Sequence, residues 1–200
     1  DGVDWRQIGE TVLDDGREYD AKGIFVGEDF HLDSQNVVFW DDRIASYVAY
    51  VRRNFSRPDQ HRAIARGTSK NLTSFIHPRD MDVVMAADAC DPANASHLAG
   101  PETSRIDYYT NAAIRYPWAD DAYFMFPSVY YKYDGWFADA WGEDALNAGV
   151  MDTGFAASRD GVVWNQYDRS PFVRLGYRDC YDSASIYMAH GIVPSGDRPD

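Results

Sequence analysis

Two elements recur in alternation along this chain of 200 residues, and the recurrence restricts the fold more than any local signal. The first is an Asp leading into an apolar strand. It occurs as Asp33-Ser34-Gln35-Asn36-Val37-Val38-Phe39, as Asp107-Tyr108-Tyr109-Thr110-Asn111-Ala112-Ala113-Ile114, and as Asp182-Ser183-Ala184-Ser185-Ile186-Tyr187-Met188, with the aspartates spaced by 74 and then 75 residues. The second falls between them. Ser158-Arg159-Asp160-Gly161-Val162-Val163-Trp164 matches Ser69-Lys70-Asn71-Leu72-Thr73-Ser74-Phe75 in its leading Ser and closing aromatic, and Asp1-Gly2-Val3-Asp4-Trp5 is the tail of a third copy. Self-similarity at a fixed period marks a repeat architecture.

Local signals fill the repeating unit with strands. Val37 to Trp40 and Tyr47 to Arg52 flank a polar stretch in the manner of a hairpin, and Ala112 to Tyr116 and Ala122 to Phe126 do the same. A third strand is predicted at His61 to Arg66 and at Thr153 to Ser158, and a fourth at Asp82 to Ala86 and at Pro171 to Leu175. Asp88 to Arg105 reads as a loop, and helical periodicity is hard to find. The fold class expected is all-β: β-propeller blades of four antiparallel strands. The whole span 1–200 is expected to be part of one propeller domain, with 1–32 ending one blade, 33–106 and 107–181 forming the next two, and 182–200 starting a fourth. Propellers typically close with about 4–8 blades, so the chain is expected to be a partial propeller, completed by further sequence or by another chain.

Composition narrows the partners. Apolar residues make up 45% and charged residues 26%, as in a folded globule. Aromatic residues reach 15%, which suits β-structure and equally suits stacking on sugar rings. A net charge of −13 argues against nucleic acid and against an anionic membrane surface. No apolar run approaches the roughly 18 residues of a membrane span. Cys90 and Cys180 form no metal-ligand pattern. A secreted or periplasmic setting is slightly favoured over others.

The stretch from Asp33-Ser34-Gln35-Asn36 into Phe39-Trp40-Asp41, then Tyr47-Val48-Ala49-Tyr50, resembles blades of the five-bladed glycoside hydrolases of families 32 and 43. Ser158-Arg159-Asp160-Gly161-Val162-Val163-Trp164 is similar to a turn found in the same families. The likeness is closer to bacterial family 32-like hypothetical proteins than to well-studied enzymes, and it rests on blade grammar across nearly the whole chain. It implies an acidic residue at the inner start of three successive blades, acting as nucleophile or base, as orienting Asp and as general acid. Asp33, Asp107 and Asp182 hold that repeated position, so glycosidic bonds of an oligo- or polysaccharide are the implied substrate. Cleavage needs one carboxyl to protonate the leaving oxygen and another to attack or to activate water. The chain departs from the pattern in having Leu32-Asp33-Ser34 where family 32 has Arg-Asp-Pro, and in having no Glu at any visible strand start. An Asp at a strand start also satisfies backbone N–H groups, so only convergence on one pocket separates the two roles.

Substrate-binding candidates follow the same logic. Asn36 and Asn111 sit just inside the first strands and suit either a sugar hydroxyl or the bracing of neighbouring blades. Arg115 and His190 also fall on these strands. Trp136 and Trp141, in an insertion expected from Tyr130 to Met151, could overhang the axis and stack on sugar, or pack within the loop. No cofactor is required by these motifs; carboxylates around the axis could hold a structural Ca²⁺, and no His/Cys pattern suggests zinc. The competing reading is a non-catalytic propeller that binds glycans or another protein. A sialidase-like reading is weaker, because Asp160 and Gly161 are adjacent where an Asp-box keeps one residue between them.

Overall fold

A computed structural model describes residues 11–14, 18–21, 32, 35–55, 61–72, 74–76, 78–88, 90–91, 106–132 and 149–195. The strands in chain order are β1 (Thr11–Asp14), β2 (Glu18–Ala21), β3 (Val37–Asp41), β4 (Ser46–Asn54), β5 (Arg62–Ser69), β6 (Asp82–Met85), β7 (Ile106–Thr110), β8 (Ile114–Arg115), β9 (Tyr123–Met125), β10 (Ser128–Lys132), β11 (Gly149–Thr153) and β12 (Ala156–Ser158). Apart from one 3₁₀ turn at Pro78–Asp80, the described residues hold no helix. All sheets are antiparallel within their named strands.

The first sheet is a four-stranded meander in the order β3-β4-β5-β6. Its long strand β4, Ser-Tyr-Val-Ala-Tyr-Val-Arg-Arg-Asn, carries aromatic and β-branched residues on both faces, and both faces are buried. Val48 and Tyr50 enter one core with Ile64 and Met85, while Ala49 and Val51 enter a second with Ala65, Phe75 and Met81. The β3–β4 turn is fixed by the buried Asp41, whose carboxylate accepts from the Arg43 N–H at 3.1 Å.

The second sheet differs from expectation. The first strand was expected at Ala112 to Tyr116, led into by Asp107, but pairing begins earlier, at Ile106–Thr110, and the ladder breaks at Asn111 to Ala113, where Ala112 takes φ 42°. Its neighbours break level with it. Pro127 lacks a ladder N–H, and Gly154 and Phe155 separate β11 from β12. The result is two three-stranded sheets, β7-β10-β11 and β8-β9-β12, whose strands continue one another. Bonds from Phe126 N–H to the Asn111 carbonyl and from Gly154 N–H to the Pro127 carbonyl, at 3.0 and 2.9 Å, carry the ladder across the bend. The insertion is also narrower than expected. Tyr130 and Tyr131 belong to β10, with Tyr131 in the core, and strand pairing resumes at Gly149. In place of a full strand from Pro171 to Leu175, a single bridge pairs Val173 with Thr153.

The two sheets are joined by a seam of apolar packing edged with specific polar contacts. Val48, Tyr50 and Ile64 of the first sheet share one core with Ala113, Met125 and Ala156 of the second. The Tyr50 hydroxyl donates to the Gly161 carbonyl at 2.6 Å, and the Tyr123 hydroxyl donates to Asp41 at 2.5 Å. The repeated Ser turn therefore has a job. Ser158 Oγ accepts from the Asp160 and Gly161 N–H groups, Asp160 accepts from Val162 and Val163, and the turn presents Gly161 to Tyr50. Gly161 has φ +71°, and a Cβ there would come within 2.7 Å of the Tyr50 hydroxyl, so glycine is required on both counts.

Candidate functional site

A cavity of about 220 Å³ opens between the first strands of the two sheets, lined by Gln35, Asn36, Val37, Val38, Ala112 and His190. Three segments that the sequence repeats thus meet at one place. Gln35 and Ala112 are both held at positive φ, 57° and 42°, a conformation that costs a non-glycine residue and persists only where its surroundings fix it. The Gln35 side-chain carbonyl oxygen is buried with no hydrogen-bond partner among the described residues. Buried acceptors are normally paired, so this oxygen is an exception, shielded within a residue that lines the cavity.

The candidates named from sequence divide sharply. Asn36 and His190 line the cavity. Asn36 also braces the chain, donating to the Leu32 carbonyl at 2.9 Å and accepting from the Arg52 N–H at 2.9 Å. Asn111 is wholly a brace. Its side chain is buried, donates to the Gln35 and Tyr50 carbonyls at 3.3 and 3.2 Å, and accepts from the Ala113 N–H. Arg115 reaches Asp42 at 3.4 Å between hairpin tips. Asp33, Trp136 and Trp141 lie outside the described residues.

Asp107 and Asp182 have no partner in common among the described residues. Asp107 is fully buried, with Arg62 at 2.8 Å and Lys132 at 3.0 Å on one oxygen. Arg62 lies over the rings of Tyr109 and Tyr130 at 4.9 and 5.7 Å, which fixes the cation in place. Asp182 sits in a turn whose carbonyl accepts from the Gly176 N–H at 3.1 Å, its carboxylate packed so closely on Gly176 that a Cβ there would collide with it. Across the sheet, Asp107 is in register with Tyr130, Met151 and Ser185. Three strand spacings, roughly 14 Å, therefore separate its backbone from Ser185 in the segment that carries Asp182.

A second acidic group was not anticipated. Asp152 lies on the core face of β11, buried beside Val129, Tyr131 and Tyr108. Burial pushes its carboxyl up to about 6, opposed by the Tyr131 hydroxyl 3.4 Å away. Nearby, Asp91 accepts from Arg169 at 2.6 Å and from the Tyr108 hydroxyl at 2.9 Å, and Tyr108 also bonds Gln166. The space among these groups holds no more than about one water molecule. The signal was present in Gly149-Val150-Met151-Asp152-Thr153, where strand alternation puts Asp152 on the face of Val150. Among the described residues no group of three His, Cys, Asp or Glu side chains is placed to hold a metal ion. No helix among them is long and apolar enough to cross a membrane.

No family model and no curated protein matches the chain. Solved structures do share its fold. An N-acetylgalactosamine deacetylase from F. plautii, in complex with blood group B trisaccharide, superposes with a TM-score of 0.56 over 82% of this chain at 12% identity. A protein described as a glycoside hydrolase reaches a TM-score of 0.49 over 76% of the chain at 15% identity, and a glycosyl hydrolase from Bacteroides ovatus reaches 0.36 over 88% at 12%. The chain spans 37%, 36% and 47% of the lengths of these three proteins. At these identities the first likeness establishes a shared all-β fold, and the other two add nothing to it.

Proposed function

We propose that this chain forms blades of a β-propeller that recognises a glycan in the cavity at its axis. The carrying observation is the cavity itself, where three segments of the repeat meet and Gln35, Asn36 and His190 contribute polar residues to the lining. A polar group set among small apolar residues is how ligand sites fix orientation, and a sugar presents many hydroxyls to such acceptors. The shared fold of a protein that holds a trisaccharide supports the same reading.

Cleavage of the glycan is the second reading, and Asp33 is the residue that favours it, because it stands two positions before Gln35 in the sequence. Hydrolysis needs a carboxyl pair about 5–10 Å apart. Asp107 suits that role poorly while Arg62 and Lys132 neutralise it.

Calorimetric titration with an oligosaccharide panel tests recognition. Gln35→Asn, which shortens a polar side chain of the lining yet tolerates positive φ, is expected to weaken binding about tenfold, the value of one good hydrogen bond. His190→Ala is expected to weaken it by a smaller factor. Affinity unchanged in both variants would remove the cavity from the account. Asp33→Asn addresses cleavage: turnover lost with binding intact supports hydrolysis, and no turnover in the wild type leaves recognition alone.

A further inference from the structure

Charge is not spread evenly over this chain, whose net charge is −13. The hairpin-tip end of the two sheets mixes both signs, with Arg115 on Asp42 at 3.4 Å and Arg159 on Asp121 at 3.0 Å. The opposite end gathers cations. Arg52 lies near the end of β4, Arg62 opens β5 and Lys132 closes β10. Arg52 pairs with Ile64, two residues along from Arg62, so strand alternation puts both arginines on one face. There they cover the same ring, Tyr109, at 4.1 and 4.9 Å.

Arg62 is braced yet reaches solvent. Its Nη1 donates to Asp107 at 2.8 Å, and its guanidinium lies over the rings of Tyr109 and Tyr130. A guanidinium carries five N–H donors, and among the described residues Asp107 is the one hydrogen-bond partner of Arg62. The Arg62 side chain is 21% exposed and that of Lys132 is 25% exposed, and the two share the single Asp107 carboxylate. One positive charge is therefore in excess. Tyr187, 43% exposed, meets Tyr109 edge to face at 6.3 Å and sets a ring beside the cations. The cluster adjoins the cavity through Arg52, whose backbone N–H donates to Asn36 on the cavity wall at 2.9 Å.

Resting on the glycan reading above, we propose that Arg62 and Lys132 bind the carboxylate of an acidic sugar, so that the ligand is a uronate-bearing oligosaccharide rather than a neutral one. The ligand carboxylate meets the outward N–H groups of Arg62 and the Lys132 ammonium, while Asp107 keeps its bonds to both. Asp107 is then the counter-ion that holds the fork in place. A planar fork matches a carboxylate, and fixing it in advance lowers the ordering cost of binding. The excess of one cation fits a ligand group of one negative charge, and Tyr187 offers a ring for the sugar face. Repulsion from the acidic remainder of the chain is screened beyond about 10 Å at 0.1 M salt, so the local cations decide.

Calorimetric titration of the wild-type chain with tetragalacturonate and a glucuronate tetrasaccharide, each beside its methyl ester, tests this without a variant. At least one acid is expected to bind about tenfold more tightly than its ester, the value of one charge-assisted contact. Arg62→Lys keeps the charge and loses the fork. It is expected to weaken the acid about fivefold and to leave the ester within about twofold. Equal affinity for acid and ester overturns the proposal and leaves glycan recognition standing. An Arg62→Lys variant that loses both ligands alike also overturns it, because Arg62 is then only a structural part. A sulfated galactan oligomer bound more tightly than either uronate overturns the carboxylate assignment. Failure of both acids to bind overturns the proposal as well, and the neutral panel then decides the glycan reading by itself. Acid binding that survives Gln35→Asn but not Arg62→Lys supports this site and defeats the cavity.

Discussion

Asp107 and Asp152 lie on opposite faces of one three-stranded sheet, both buried, yet their chemistry is opposite. Asp107 faces Arg62 and Lys132 and is held by two cations. Asp152 faces Val129, Tyr108 and Tyr131, with one long hydroxyl contact among the described residues, and burial pushes its carboxyl up to about 6. The aspartate that recurs in the sequence is the one paired with cations, whereas the one that recurs nowhere sits among apolar and phenolic side chains. Burial without a counter-charge is what displaces a pKa.

The largest test of that contrast is Asp107→Asn. It leaves two cations around a neutral amide, and urea titration is expected to show a loss of about 2–3 kcal/mol, somewhat less than a fully buried pair because both cations reach solvent. A loss below about 0.5 kcal/mol would mean that the pairing contributes nothing. Asp152→Asn is expected to act in the other direction. Its folded-state pKa exceeds the unfolded value near 3.9, so the folded protein binds the extra proton between those values, and stability falls as pH rises from about 4 through 6. The variant should be more stable than wild type at pH 8 by about 1–2 kcal/mol, and should lose that part of the pH dependence. Tyr131→Phe removes the one bond that favours the Asp152 anion, so the carboxyl should titrate higher still, at a stability cost of about 0.5–1 kcal/mol at pH 8. His190→Ala, at an exposed position, should change stability by less than about 0.5 kcal/mol, which isolates its effect on binding.

The sequence revealed what local chemistry and periodicity decide. The β3–β4 hairpin, β5, β6 and the paired Ser69 and Ser158 turns all form where alternation and turn residues put them. It also led Asn36 and His190 to one cavity. It did not reveal partners brought in from far along the chain: Arg62 reaches Asp107 across 45 residues, and Asn111 braces Tyr50 across 61. Nor did it locate the bend at Asn111 to Ala113, because Ala112 is not a residue that announces positive φ. Gln35 escaped notice for a related reason. Its positive φ and its place in the cavity lining emerge only from the packed structure.

Amide chemical shifts followed by NMR during titration with an oligosaccharide test the central claim most directly. The account predicts that Gln35, Val37, Val38, Ala112 and His190 shift together, saturating at one affinity, while the amides around Asp107 and Asp152 stay in place. Shifts confined to those two carboxylates, or no shift at the cavity under a saturating glycan, would contradict it.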